Sequence, residues 1–283
     1  MAGLRDMARL TVTARRAGNT VDEIYRTLRE RIIDGVYGPG IRMSQGGIAA
    51  ELNVSRTPLR EALQRLEADG LLVGRANRGM EVAPARVGQV EEYYALRLLI
   101  EPPTLAEVAR RMGARELATM ESELAAMCDM RNRVRDFQEA HLRFHELVIR
   151  RYPNTIAELV HSLHTKIYRY QRLHFSRPEA SNEYTSVDRL FLEALRERNF
   201  SVARRLFEFH LIDAAIGMIH QSEPDYRFDA LLVAARGVGI HLDSGVDGSL
   251  PRPASLTWAN DREVIIPDLM TSNLQVGGSP KVA

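Results

Sequence analysis

The sequence predicts a mainly α-helical protein in two parts: a short helical unit closed by a small hairpin, and an all-helical bundle behind it. Three observations carry this. Apolar residues recur at helical spacing in successive segments from residue 20 to residue 220. Strand-like runs are confined mainly to 71–75 and 79–83, joined at Ala76-Asn77-Arg78. Gly, Pro and Asn fall between the helical segments, where chain breaks are needed.

The elements follow in order. Residues 20–36 read as a helix, with Thr20 and Glu23 at capping-box spacing and Ile24, Leu28 and Ile32 on one face. Gly35, Gly38 and Pro39-Gly40 end it, and Ile41-Arg42-Met43 is a short extended piece. Ser44 is placed to cap a second helix carrying Ile48, Ala49 and Leu52, and Asn53-Val54 makes a tight turn. Ser55 is placed to cap a third, with Leu59, Leu63 and Leu66 inward and Asp69-Gly70 at its end. The hairpin follows, and Pro84 closes the unit. Helix, helix, turn, helix and hairpin is the order of a winged helix-turn-helix.

Further helices are expected near 88–111, 114–131, 134–152, 154–175, 182–198 and 200–220. Breaks fall at Gly113, Asn132, Pro153-Asn154, 176–181 and Asn199, and Pro102-Pro103 should kink or interrupt the first of these helices. Residues 223–283 are rich in Gly, Pro, Ser and Asp, so a mostly irregular tail is expected, with a strand near 263–266. The domain reading is therefore a basic arm over 1–19 (Arg5, Arg9, Arg15, Arg16), the winged unit over 20–84, the bundle over 88–222 and the tail.

Composition bounds the function. A net charge of +1 over 283 residues excludes bulk electrostatic binding of nucleic acid, so any DNA contact is local. Basic residues are almost all arginine, which suits phosphate and guanine. Cys128 stands alone, which fits a reducing cytoplasm. No run of about 18 apolar residues predicts a membrane span.

The third helix opens Ser55-Arg56-Thr57-Pro58-Leu59-Arg60. Arg56 and Arg60 share a face, within reach of base edges or phosphates, and Thr57 with the helix N-terminus can hold a phosphate. The alternative is two solvated surface charges. The stretches Gly38-Pro39-Gly40, Ala49 to Leu63, Arg65 to Leu71 and Asn77-Arg78-Gly79 resemble the GntR family of bacterial regulators. That resemblance implies operator DNA as partner, with Arg56, Thr57 and Arg60 as recognition-helix contacts and Gly79 at the wing tip. One departure is Gln45-Gly46-Gly47, where the family often has Glu-Arg-Glu with a DNA-contacting arginine.

His141 and His145 lie four apart, a spacing shared by metal ligands and by ordinary polar positions. Residues 88–220 resemble the FCD ligand-binding domain of the FadR subgroup, through Tyr94 to Glu101, Arg143 to Leu147, Phe191 to Leu195, Ala203 and His210. This resemblance implies a homodimer and a divalent metal, Zn²⁺ or Ni²⁺ or similar, held by three His and one Asp. The usual order is exchanged here: His141 stands where Asp is usual and Asp188 where His is usual. The set is then His141, His145, Asp188 and His210. A small organic acid is the implied effector. Arg97 would pair with its carboxylate, or else with a nearby side-chain carboxylate. Tyr168, Arg169, Tyr170 and Arg172 are candidates for the same pocket, whereas His161 and His164 read as polar residues flanking the core. The competing functions are a metal-dependent hydrolase and an architectural DNA binder whose bundle only dimerises. The Ser55–Arg60 helix and its wing, which an enzyme does not need, favour a regulator of a metabolic operon.

Overall fold

A computed structural model describes residues 17–75, 79–84, 86–130, 133–174, 178–259 and 264–265. It contains two compact units: residues up to Val90 with Glu158–Leu173, and Glu91–Ala157 with the chain from His174 onward.

In the first unit, α1 (Ala17–Ile33), α2 (Gln45–Leu52) and α3 (Arg56–Ala68) precede a hairpin of β2 (Leu72–Arg75) and β3 (Gly79–Val82). The short β1 (Arg42–Met43) completes an antiparallel sheet of order β1-β3-β2, with Arg42 opposite Glu81 and Leu72 opposite Val82. Ile24, Leu28, Ile48, Leu52, Leu59, Leu63 and Leu66 bury the inner faces of the three helices against Leu72 and Val82. This is the winged helix-turn-helix. Two caps differ from expectation. The first helix starts at Ala17, so Thr20 lies inside it and 17–19 are not part of an arm. Ser55 has N-cap backbone geometry but makes no side-chain capping bond, whereas Ser44 accepts from the Gly47 amide. The arm over 1–16 and the wing turn 76–78 lie outside the described residues.

The helices of the bundle are α4 (Val87–Val108), α5 (Ala114–Asp129), α6 (Val134–Ile149), α7 (Asn154–His174), α8 (Pro178–Arg196) and α9 (Phe200–Ser222). The expected break near 176–181 is narrower, since α8 is helical from Pro178, and both 175–177 and Asn132 lie outside the described residues. Pro102 and Pro103 do not interrupt α4, which runs on to Val108 and a 3-10 turn. Each proline removes one amide from the helical ladder. Pro102 is buried among Glu101, Leu105 and Val108, where tertiary packing outweighs those losses. In the second unit α5 packs on α6 and α8, and α8 on α9. Every residue of α9 from Leu206 to Ile212 is buried, as expected for a central helix.

The largest departure is the tail. Residues 223–259 are ordered around α10 (Ala230–Gly237), β4 (Ile240–His241) and β5 (Ser255–Trp258), with β6 (Val264–Ile265) paired to β5. The expected strand near 263–266 is found as β6. Two buried carboxylates anchor the segment. Glu91 of α4 accepts from Tyr226 Oη and from the amides of Asp229 and Leu231, and so serves as an N-cap for α10. Glu208 of α9 accepts from Trp258 Nε1 at 2.7 Å and Arg204 Nε at 2.8 Å. Replacing Trp258 by Phe should therefore leave one Glu208 oxygen buried without its donor and cost about 1–3 kcal/mol. Because Trp258 is the sole tryptophan, the check is urea unfolding followed by circular dichroism. An unchanged midpoint would show that the bond adds nothing to stability.

Among the described residues no helix is long and apolar enough to cross a membrane.

Candidate DNA-reading face and metal centre

The N-terminal turn of α3 presents Arg56, Thr57 and Arg60 outward while Leu59 and Leu63 face the core. That division follows from helical period: 56 and 60 are four apart, 59 and 63 likewise. Gly79 is exposed opposite Arg75 at the start of β3, with φ +77°, a left-handed conformation that glycine adopts without strain. Gly46 lies beside the recognition helix: a Cβ there would sit 3.9 Å from Arg56 Nη2. A cleft of about 820 Å³ runs beside α2, lined by Arg42, Ser44, Gln45, Arg75, Gly79 and Met80 among others. Arg75 is held at 2.6 Å by Glu81. Arg42 and Arg75 were not legible as site residues because each sits in a two- or four-residue strand, whose pairing alone brings them together.

In the second unit the structure brings His141, His145, Asp188 and His210 together, one ligand atom from each lying within 4.8 Å of the others. Helix α6 supplies His141 and His145 one turn apart, α8 supplies Asp188, and α9 supplies His210. The two Nε2 atoms are 3.1 Å apart. Asp188 Oδ2 is 3.4 Å from His141 Nε2, and Oδ1 is 3.3 Å from His145 Nε2 and 3.8 Å from His210 Nδ1. Nitrogen and oxygen ligands about 2.1 Å from one small divalent ion stand roughly 3.0–3.4 Å apart. All four residues are buried, and among the described residues Asp188 Oδ2 finds no hydrogen-bond donor. Phe144, Phe191 and Phe207 pack around the His145 ring and give it apolar surroundings.

Electrostatics agree with a metal-ready set. Burial pushes the His145 and His210 imidazoles below their ordinary range, outweighing the attraction of Asp188, and so favours the neutral form that binds metal. Burial opposes ionisation of Asp188, yet electrostatic interaction with His145 and His210 holds its carboxyl well below the usual range. Three neutral imidazoles with one carboxylate fit Zn²⁺, Ni²⁺ or a similar ion.

Arg97 on α4 is buried, and its Nε donates to Glu101 Oε1 at 2.5 Å, with its guanidinium over the Tyr94 ring. The nearby side-chain carboxylate expected as one of its possible partners is therefore Glu101. The tyrosine–arginine cluster of α7 makes contacts within the first unit. Arg169 donates twice to the Ala83 carbonyl, Tyr170 Oη to that of Arg86, and Arg29 lies over the Tyr168 ring. The Arg172 side chain lies outside the described residues. Gln138 is buried on α6, three and seven residues before His141 and His145 and so on their side of the helix.

Comparison with known proteins places these features. The pattern described as bacterial regulatory proteins, gntR family, matches residues 20–82, and that of the FCD domain matches 92–213. The chain is 25% identical over 209 residues to the HTH-type transcriptional repressor RspR of Escherichia coli, covering 72% of this chain and 92% of that one. It is 29% identical over 185 residues to the galactonate operon transcriptional repressor of Escherichia coli, covering 58% and 80%. A crystal structure of a GntR regulator from Rhodococcus sp. RHA1 superposes with a TM-score of 0.58 at 26% identity, over 74% of this chain and all of that one.

Proposed function

The chain belongs to the GntR family of bacterial regulatory proteins and carries an FCD domain, and on that premise we propose that it is a cytoplasmic repressor of a metabolic operon, released or engaged by a small organic acid. It is a DNA-binding transcriptional regulator, and its relatives include named repressors. The observation that carries the finer reading is the pairing of an exposed Arg56, Thr57 and Arg60 face with a buried three-histidine, one-aspartate cluster in the same chain.

In this reading a homodimer sets two copies of α3 into successive major grooves of a two-fold operator. Arg56 and Arg60 reach base edges, Thr57 a phosphate, and Gly79 the minor groove. Arg42 and Arg75 take backbone phosphates beside the wing, supplying charge near Gly46, where this chain lacks a side chain. His141, His145, Asp188 and His210 hold a divalent ion, which supplies a Lewis-acidic attachment point for the effector carboxylate. Arg97, fixed by Glu101, adds positive potential near it. The effector acts by binding the DNA-competent and DNA-incompetent states with different affinity. One relative is named as the repressor of a galactonate operon, which supports an acid effector.

Arg56→Ala and Arg60→Ala test the DNA half. Each should weaken operator binding by about 1–3 kcal/mol with unchanged melting, and a base-contacting residue should also relax sequence preference at one position. The footprint of wild type should span two half-sites. Full affinity and full specificity in both variants would remove α3 as the reading helix.

A further inference from the structure

Resting on the reading of Arg75 and Gly79 as DNA-facing, we propose that Glu67 and Gly74 form a latch that fixes the wing against the recognition helix, so that both meet DNA in one pre-set geometry. Glu67 lies in the last turn of α3, at the opposite end from Arg56, Thr57 and Arg60. Its Oε1 accepts from the Gly74 amide at 2.9 Å. Gly74 belongs to β2, an outer strand of the three-stranded sheet, one edge of which pairs with no other strand. The bond therefore ties the wing directly to α3.

A glycine inside a four-residue strand calls for a reason, because it weakens the strand and packs no side chain. Gly74 does not serve a left-handed backbone, since its φ is not positive, unlike those of Gly70 and Gly79. Its use is space. A Cβ there would stand 2.7 Å from Glu67 Oε1, and the only other atom of the described residues within 4 Å would be Glu67 Cδ at 3.8 Å. Residue 74 is small because the carboxylate of residue 67 approaches its amide.

The grip reaches the DNA-facing residues through β2. Arg75 follows Gly74, stands opposite Gly79 in the hairpin, and donates from Nε to Glu81 Oε1 at 2.6 Å. That bond uses one donor of the guanidinium and leaves its two Nη groups for a phosphate. Held at 74 by α3 and at 75 by β3, the strand carries Arg75 and Gly79 in a fixed relation to Arg56 and Arg60. A wing ordered before binding costs less to dock than one ordered on the DNA.

The test uses the full-length protein and a duplex that wild type selects from a random-sequence pool. Affinity is read by titration, and wing contact by hydroxyl-radical protection of the minor groove. Glu67→Ala removes the acceptor. Gly74→Ala adds a methyl that swings the flexible carboxylate off the amide. Each should bind about three- to tenfold more weakly, the cost of ordering the wing on the DNA. Each should lose minor-groove protection while keeping its melting temperature and its major-groove base preference. The double variant should bind no worse than either single, because both changes remove the same bond. Glu67→Gln, whose amide oxygen still accepts, should bind like wild type. Wild-type affinity and footprint in both single variants would overturn the latch. So would losses that multiply in the double variant, or a Glu67→Gln protein as weak as Glu67→Ala. A joint fall in melting temperature and major-groove preference would mark a general structural role and overturn it too. Wild type that protects no minor groove would overturn this proposal together with the wing reading it rests on, and would leave the Arg56 and Arg60 reading standing.

Discussion

Arg97→Met should destabilise the protein by about 3–5 kcal/mol, and Arg97→Met with Glu101→Leu should recover most of that loss. The pair is 4% and 0% exposed at its side chains, one helical turn apart on α4. Burial alone would lower the arginine's pKa, and Glu101 more than offsets it. Removing Arg97 leaves Glu101 charged in a site with little water and raises the free energy of the fold. Removing both eliminates the desolvation cost on each side. The measurement is a double-mutant cycle by chemical denaturation at pH 7. A single variant within about 1 kcal/mol of wild type would mean that Glu101 finds another partner or a proton. Effector response separates structure from function: if Arg97 contributes potential to the site, the double variant stays folded and binds acid more weakly.

The bundle was legible in the sequence because its punctuation is local. Gly113 and Asn199 sit one residue before α5 and α9, and the Asn199 side chain accepts from the Val202 amide. The four cluster residues were legible for two different reasons. His141 and His145 are linked by helical spacing alone, whereas Asp188 and His210 come from other helices and were reached through family resemblance. Nothing in local spacing brings α8 and α9 to α6.

What was not legible depends on contacts far apart in sequence. Tyr226 and Glu91 are 135 residues apart, and a glutamate near the start of α4 gives no sign that it caps a helix in the tail. Strands of two to four residues with intervening Gly and Pro look like irregular chain until Leu256 and Trp258 are seen buried. The same holds for Arg169 and Tyr170, which donate to the backbone carbonyls of Ala83 and Arg86. The prolines do not end α4, because the rule against them concerns intrinsic helix stability, and burial of Pro102 and Leu105 overrides it.

Metal removal should produce the second large effect. An ion bound at 1,000 times its dissociation constant stabilises the native state by about 4 kcal/mol, and at 100 times by roughly 2.7 kcal/mol. Treatment with a strong chelator should lower the melting temperature accordingly, and Zn²⁺ or Ni²⁺ should restore it. His145→Ala and His210→Ala should lose the metal by elemental analysis and should no longer respond to the chelator. The acid limb follows from the histidines. The His145 and His210 pKa values are depressed by burial, so these two imidazoles resist protonation in the range just below 6.5, where an ordinary imidazole charges. Metal affinity should therefore hold to about pH 6 and fall beneath it as protons compete for the ligands. A more discriminating experiment uses the inverted order of ligands. Asp188 touches both His141 and His145, so changing either position alone alters the count of imidazoles and the charge of the cluster. His141→Asp gives two carboxylates and two imidazoles; Asp188→His gives four imidazoles and no anion. Made together, the two changes restore three imidazoles and one carboxylate in the arrangement more usual for the family, and metal content should exceed that of either single variant. Should wild type carry no metal after reconstitution and show no chelator-dependent melting, the four side chains are a hydrogen-bonded polar core, and acid recognition must rest on Arg97 instead.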